Sequence, residues 1–199
     1  MQVSILDSTV DPLHTISMCA RTCYASREKY IKEKQEDFIR GLIKCGHLSP
    51  LENVIITFDI KGISRSCLAQ LTRHRVCSFC VQSQRYVNQE KAPYAIPESI
   101  KQSMDTLSIY ENAIMDAKNA YKELISLGIP KEDARFVLPE ATTTDLTLTT
   151  NARELRHILK LRTAKTAQWE IRELGNKMAQ LVIDKGWGVL VEDIVGNNK

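Results

Sequence analysis

Apolar positions along this chain repeat with two periods. Between residues 98 and 127, Met104, Leu107, Tyr110, Ile114, Ala117, Tyr121 and Leu124 return every three or four positions, which marks one face of an α-helix. Gly128 and Pro130 stop that helix. The same period predicts helices over 12–24, 28–45, 63–75 and 166–185. Gly46 suits the residue just past the second of these, and Gly186 ends the last. Strand signals fall at 1–5, at the β-branched run 52–60 between Pro50 and Gly62, and at 79–87, which reads as extended. Leu146, Leu148 and Thr150 alternate with Thr147 and Thr149 and predict a further strand. Asn151 then opens a helix to 162, with Glu154 placed for a capping box. Helices and strands mix without a regular βαβ alternation, so the pattern favours α+β over a doubly wound fold. No repeat or linker interrupts it, and residues 1–199 read as a single domain. No apolar run approaches the roughly 20 residues of a membrane span.

Composition adds little to this picture, and charge adds more. With 43% hydrophobic and 26% charged residues, the chain has a soluble globular composition, which excludes disordered and fibrous classes. The first twenty residues carry Asp7 and Asp11 and no signal-peptide pattern, so the cytoplasm is the expected compartment. Twenty-seven basic residues against 24 acidic ones are no nucleic-acid signature. Their placement is uneven. Residues 60–91 hold Lys61, Arg65, Arg73, Arg75, Arg85 and Lys91 against Glu90 alone. Residues 151–172 hold Arg153, Arg156, Lys160, Arg162, Lys165 and Arg172 against Glu154 and Glu170. Two basic segments in a nearly neutral chain point to anionic ligands held at discrete places. Neither a dinucleotide fingerprint nor a P-loop is present. Cys77 and Cys80 have zinc or redox spacing, but nothing completes a metal site. The six cysteines read as reduced, buried, small apolar groups, and no metal is expected.

Two segments carry candidate chemistry. On the 151–162 helix, Leu155, Ile158 and Leu159 define an apolar face with Arg162 in its middle, and Arg153, Arg156, His157 and Lys160 lie opposite. An inward arginine is costly unless an acceptor or anion meets it. The alternative is that the helix frays and Arg162 reaches solvent. If 63–75 is helical, Gln70, Arg73 and His74 share a face and Arg75 points elsewhere. If 79–87 is extended, Ser83 and Arg85 point to one side and Tyr86 to the other. A hydroxyl beside a guanidinium makes a phosphate or carbonyl clamp. A solvated basic surface, or a nucleic-acid-binding protein using 60–91 and 151–172, is the competing reading.

Arg73-His74-Arg75, seven residues, Ser83 and then Gln84-Arg85-Tyr86 resemble the R-H-R-x7-S signature of flavin-dependent thymidylate synthases. Gly46-His47-Leu48-Ser49-Pro50-Leu51-Glu52 is similar to the family's G-H-x-[ST]-P-x-E segment, and Gln70 stands three residues before the triplet as expected. Asn151-Ala152-Arg153, Leu161-Arg162 and Ala167-Gln168-Trp169-Glu170-Ile171 resemble its C-terminal block, and Arg135 and the Ala20–Tyr24 stretch also fit. Asn53 departs from the histidine common after that Glu, and Cys77, Cys80 and Val81 are uncommon in the spacer. The resemblance implies an α+β fold with a twisted, largely antiparallel sheet packed with helices. It implies reductive methylation of dUMP to dTMP, with methylenetetrahydrofolate as carbon donor and NADPH-reduced FAD as hydride source, and no cysteine nucleophile. By the same resemblance Arg162 activates dUMP by favouring N3 ionisation. Gln70, Leu71, Thr72, Arg73, Val81, Gln82, Ser83, Gln84, Arg85 and Arg135 join it around dUMP. Ser49, Arg73, His74, Arg75, Val81, Asn151, Ala152, Arg153 and His157 meet FAD, and His47 lies near flavin and folate. The family also implies a homotetramer with shared active sites, and no nucleic-acid or membrane partner.

Overall fold

Alternation of buried and open positions decides the sheet. In a computed structural model that describes residues 1–195, four segments extend: β1 Gln2–Ser8, β2 Ile55–Ser64, β3 Cys77–Val81 and β4 Thr143–Asn151. Ile56, Phe58 and Ile60 of β2 are buried, as are Leu146, Leu148 and Thr150 of β4. The strand order is β1-β2-β4-β3. The Thr9 N–H donates to the Ile55 carbonyl and the Ala152 N–H to that of Val54. The end of one strand thus lies beside the start of the next, and the sheet is antiparallel. The expected fold class holds.

Helices fill the intervals: α1 Pro12–Thr22, α2 Gln35–Lys44, α3 Arg65–Leu71, α4 Glu98–Lys101, α5 Met104–Ser126, α6 Lys131–Ala134, α7 Ala152–Arg162, α8 Trp169–Asp184 and α9 Glu192–Val195. The Asp11 carboxylate caps α1, accepting from the His14 N–H at 3.0 Å. At the end of α2, Gly46 takes φ +73°. There the Gly46 N–H donates to the Ile43 carbonyl and the His47 N–H to that of Leu42, the paired bonds of a left-handed cap. The same pair of bonds closes α5 at Gly128 and α8 at Gly186.

The contacts divide into two compact units, residues 1–60, 71–80 and from 147 onward in one, 61–70 and 81–146 in the other. In the first unit Ile16, Ile39, Phe58, Leu155, Ile158, Leu174 and Met178 form a dry core. Helices α7 and α8 pack closely there. A Cβ on Gly175 would stand 3.0 Å from Thr163 Cγ2 and 3.7 Å from Arg162 Cβ, so a larger residue there would have to displace the Thr163 methyl by a few tenths of an ångström. In the second unit Tyr121 of α5 is fully buried, and its hydroxyl accepts from the Gln89 N–H at 3.3 Å. The Gly62 N–H donates to the Asp145 carboxylate at 2.9 Å. Leu107, Tyr110, Ile114, Ala117 and Leu124 of the apolar stripe are only half-buried.

Several boundaries differ from the sequence expectation. The helix predicted over 28–45 is two short 3₁₀ turns, Arg27–Lys29 and Lys32–Lys34, followed by α2. None of those turn residues is buried, and helix-forming Lys and Glu without an apolar face to bury do not hold a helix. Pro50 lies in a 3₁₀ turn, Ser49–Asn53, so β2 starts at Ile55 and runs on to Ser64. The 63–75 helix stops at Leu71, and β3 ends at Val81 instead of 87. Ser103 caps α5 through a bond from the Asp105 N–H and splits the 98–127 helix. β1 reaches Ser8, and α8 begins at Trp169, where the Gln168 side chain caps it. Of the six thiols only Cys67 is buried; Cys19 and Cys77 are half-buried and Cys23, Cys45 and Cys80 exposed. Three residues apart on a strand, Cys77 and Cys80 point to opposite faces, so their spacing brings no ligands together. Among the described residues no helix is long and apolar enough to cross a membrane.

Candidate functional site

A buried histidine organises the first unit. After α3 ends, the His74 N–H turns back to the Leu71 carbonyl at 3.2 Å, which drops the ring inward until its side chain is 3% exposed. On α7, the Asn151 side chain accepts from the Glu154 N–H at 2.8 Å and fixes where the helix starts. Glu154 does not complete a capping box, because its carboxylate is turned to His74 Nδ1, 3.2 Å away. At the other end of α7, Arg162 Nε lies 3.0 Å from His74 Nε2. A guanidinium is a donor only, so Nε2 accepts and the Nδ1–H donates to the Glu154 carboxylate. His74 is therefore neutral. Burial lowers its pKa, Arg162 and His157 push the same way, and Glu154 opposes them. The His157 ring meets it edge-on at 5.6 Å. α7 is intact through Arg162, so the arginine has an acceptor on the inward side and does not depend on a frayed end.

His74, Glu154 and His157 lie close enough to share a cation. The adjacent Arg162 guanidinium would repel one and already uses a ring nitrogen of His74, which links the group into a hydrogen-bonded chain.

The outer side of α7 borders a cleft of about 910 Å³ lined by Leu48, Glu52, Val76, Asn151, Arg153, Glu154, Arg156, His157, Lys160, Asp193 and Ile194. That is within the usual range of ligand and cofactor sites. Arg153 bonds Glu52 at its rim. Arg156, read as an open basic residue, is instead clamped. Its guanidinium holds Asp193 with two bonds of 2.7 Å and the Leu190 carbonyl at 2.6 Å. The Gly188–Leu190 turn and α9 make these contacts, and the sequence pattern did not show them. A smaller recess of about 360 Å³ is lined by His47, Ser49, Cys23, Tyr24 and Arg153 among others. Gln70, Arg73 and His74 do not share a helical face, because α3 ends at Leu71. Arg73 and Arg75 are exposed and Leu71 buried.

Most of the expected nucleotide residues lie in the second unit. Past Val81, residues 82–87 turn instead of extending, so the strand alternation expected for Ser83 and Arg85 fails. The Val87 N–H donates to the Ser83 carbonyl at 3.0 Å, and the Arg85 N–H to the Ser83 hydroxyl at 3.2 Å. Arg85 pairs with Glu132 at 2.7 Å, and Arg135 Nε donates to the Glu132 carbonyl at 3.0 Å. Both guanidiniums thus meet around one residue. Arg65 Nη2 supports this loop by donating to the Gln82 carbonyl at 3.0 Å; burial and nearby Arg135 lower the Arg65 pKa. Sequence reading counted Arg65 only as basic and Glu154 only as a cap. Its position on an inward turn of the helix, one turn from the cap, was the available signal for Glu154. Arg65, Arg85, Arg153 and Arg156 all have internal acceptors.

A family model described as thymidylate synthase complementing protein matches residues 4–185. A flavin-dependent thymidylate synthase of Geobacter sulfurreducens is 41% identical over 190 residues, covering 92% of this chain and 82% of that protein. Another, of Pyrococcus abyssi, is 39% identical over 190 residues, covering 90% and 78%. Among solved structures, the flavin-dependent thymidylate synthase ThyX of Helicobacter pylori, complexed with FAD and dUMP, superposes with a TM-score of 0.81. It is 27% identical, and the match covers 98% of this chain and 99% of that one.

Proposed function

The chain belongs to the thymidylate synthase complementing protein family, the flavin-dependent thymidylate synthases, and we propose that it converts dUMP to dTMP with methylenetetrahydrofolate as carbon donor and NADPH as reductant. The observation that carries this reading is an arginine at the end of α7 whose Nε is fixed by a buried neutral histidine. Uracil C5 is a poor nucleophile until negative charge enters the ring. A guanidinium against the N3 and O2 edge favours the N3-ionised form, as an oxyanion site favours developing charge. Arg162 has that role. No thiol is needed for it; burial pushes the Cys77 thiol up from its ordinary value.

FAD fits the donor set of the first unit. The cleft offers Arg153, Lys160 and His157 to an anionic pyrophosphate and the Asn151 amide to polar edges. Ser49, Arg73 and Arg75 extend the set, but not His74, whose ring nitrogens are both bonded, nor the Ala152 N–H, which donates to the Val54 carbonyl; Val81 lies in the second unit. When bound, FAD supplies the hydride. His47, lining the neighbouring recess, orients flavin and folate. Around dUMP, Arg85 holds the phosphate with Arg135, and the Ser83 hydroxyl, Gln82 and Gln84 position the base. Gln70, Leu71, Thr72 and Arg73 are the remaining residues that the resemblance gives to dUMP. Residues 1–199 act as one functional domain in a homotetramer with shared active sites, in the cytoplasm, where its free cysteines stay reduced.

The test is a visible spectrum of the protein loaded with FAD, titrated with dUMP, followed by a dTMP assay. Bound flavin whose spectrum responds to dUMP, with turnover, supports the reading. Arg162→Ala should retain flavin and lose dTMP formation by about a hundredfold or more. Near-normal turnover in that variant would remove the role given to Arg162, and failure to retain flavin at any protein concentration would overturn the function.

A further inference from the structure

We propose that Glu154 and His74 form a positioning relay for Arg162, in which Glu154 holds His74 in the one tautomer able to accept from the guanidinium. The inference rests on the reading of Arg162 given above and adds two residues to it. Its basis is a continuous run of bonds. Glu154 Oε1 accepts from His74 Nδ1 at 3.2 Å, and His74 Nε2 accepts from Arg162 Nε at 3.0 Å. If the ring proton moved to Nε2, two N–H groups would face each other across that 3.0 Å gap. A doubly protonated ring would do the same and add a positive charge. With the His74 side chain 3% exposed and that of Glu154 13%, little water reaches the pair to compensate. Glu154 therefore selects the tautomer, as a carboxylate does for a catalytic imidazole.

Fixing Nε fixes more than one bond. The guanidinium is planar, so anchoring one nitrogen sets the plane in which the two terminal nitrogens lie. Those are the nitrogens a pyrimidine edge would meet. In this scheme Glu154 and His74 act on dUMP through Arg162; Glu154 also borders the cleft given to FAD, and His74, expected from the resemblance to meet FAD, is buried with both ring nitrogens bonded. The charged and titratable groups acting on the His74 ring are Glu154, His157 and Arg162, all from α7, and Arg73 and Arg75 flank it in sequence with exposed side chains. Glu154 is the one of these that favours protonation of the ring, so removing its charge makes His74 harder to protonate.

Full-length protein loaded with FAD, with ¹⁵N-labelled histidine, tests the relay in two ways. The chain has four histidines, so their ring nitrogens can be assigned by NMR. Near pH 7 His74 should be neutral with its proton on Nδ1, and in Glu154→Ala the proton should shift toward Nε2. In steady-state assays Glu154→Ala should lower kcat for dTMP by about 10- to 100-fold with a smaller change in KM for dUMP. Glu154→Gln keeps an acceptor for Nδ1–H and should recover most of that loss, with the acid limb of its kcat profile moved to lower pH. A wild-type Nε2–H tautomer, wild-type kcat in Glu154→Ala, or an unmoved acid limb in Glu154→Gln would each overturn the relay while dTMP formation stands. Wild-type protein that forms no dTMP would overturn the reading of Arg162 and the relay's catalytic role together. If Glu154→Ala does not fold, the wild-type spectrum and Glu154→Gln decide the question.

Discussion

Two residues show how burial converts ordinary side chains into determinants of stability. Arg156 is 11% exposed and holds Asp193 and the Leu190 carbonyl. Charge-assisted bonds of this kind are worth about 1.5–3 kcal/mol each in partly buried settings. Arg156→Ala should therefore lower stability by about 2–3 kcal/mol, read as a lower urea midpoint. Arg156 also lowers the Asp193 pKa. That contribution is complete above the ordinary carboxylate range and is lost as pH falls through the folded-state value. His74 acts at higher pH. Its folded pKa lies below the ordinary 6.5, so the unfolded chain takes up a proton that the native one refuses. The associated stability is complete above pH 6.5 and declines as pH falls from there through the folded pKa. Melting temperatures between pH 7.5 and 5 should show this decline, and in His74→Gln the slope should flatten.

At the scale of elements, caps were the most readable feature. Asn151 was expected to start α7 and does so through the Glu154 N–H. Asn151→Ala should cost about 1 kcal/mol of stability by chemical denaturation. It should also loosen Glu154 and His157, which α7 carries in register. Gly46, Gly128 and Gly186 ended helices where the pattern placed them. The failures share a cause. Periodicity reports a face that something must cover, and the Lys- and Glu-rich residues before α2 have no such face. The Arg73-His74-Arg75 turn fails for another reason. Its geometry depends on a buried ring meeting α7 some eighty positions away, which no local window contains.

For the whole molecule, the four-stranded order β1-β2-β4-β3 places a late strand between two earlier ones. Alternation predicted strands but could not order them, because order is a property of long-range pairing. The motif resemblance supplied the fold class and, through spacing, the residues to examine. It did not show that Arg156 is closed off by α9, or that Arg65 braces the Gln82 carbonyl. Met104 and Met115 of α5 are exposed and lie on one side of that helix, eleven residues apart. The proposed tetramer gives them a place to be covered. Light scattering should report about four times the 22.6 kDa subunit mass, and Met115→Glu should reduce that mass and turnover together.

Gly175 has a consequence beyond packing. It lines neither recess, yet a single added methyl would press on the Thr163 methyl, and Thr163 is the residue that follows Arg162 in the chain. A genetic selection for thymidine auxotrophs would then recover changes at this glycine alongside changes at the arginine. Suppressors would arise at Thr163, where a smaller side chain gives the space back. The constraint on catalysis would thus be inherited by a helix that takes no part in it.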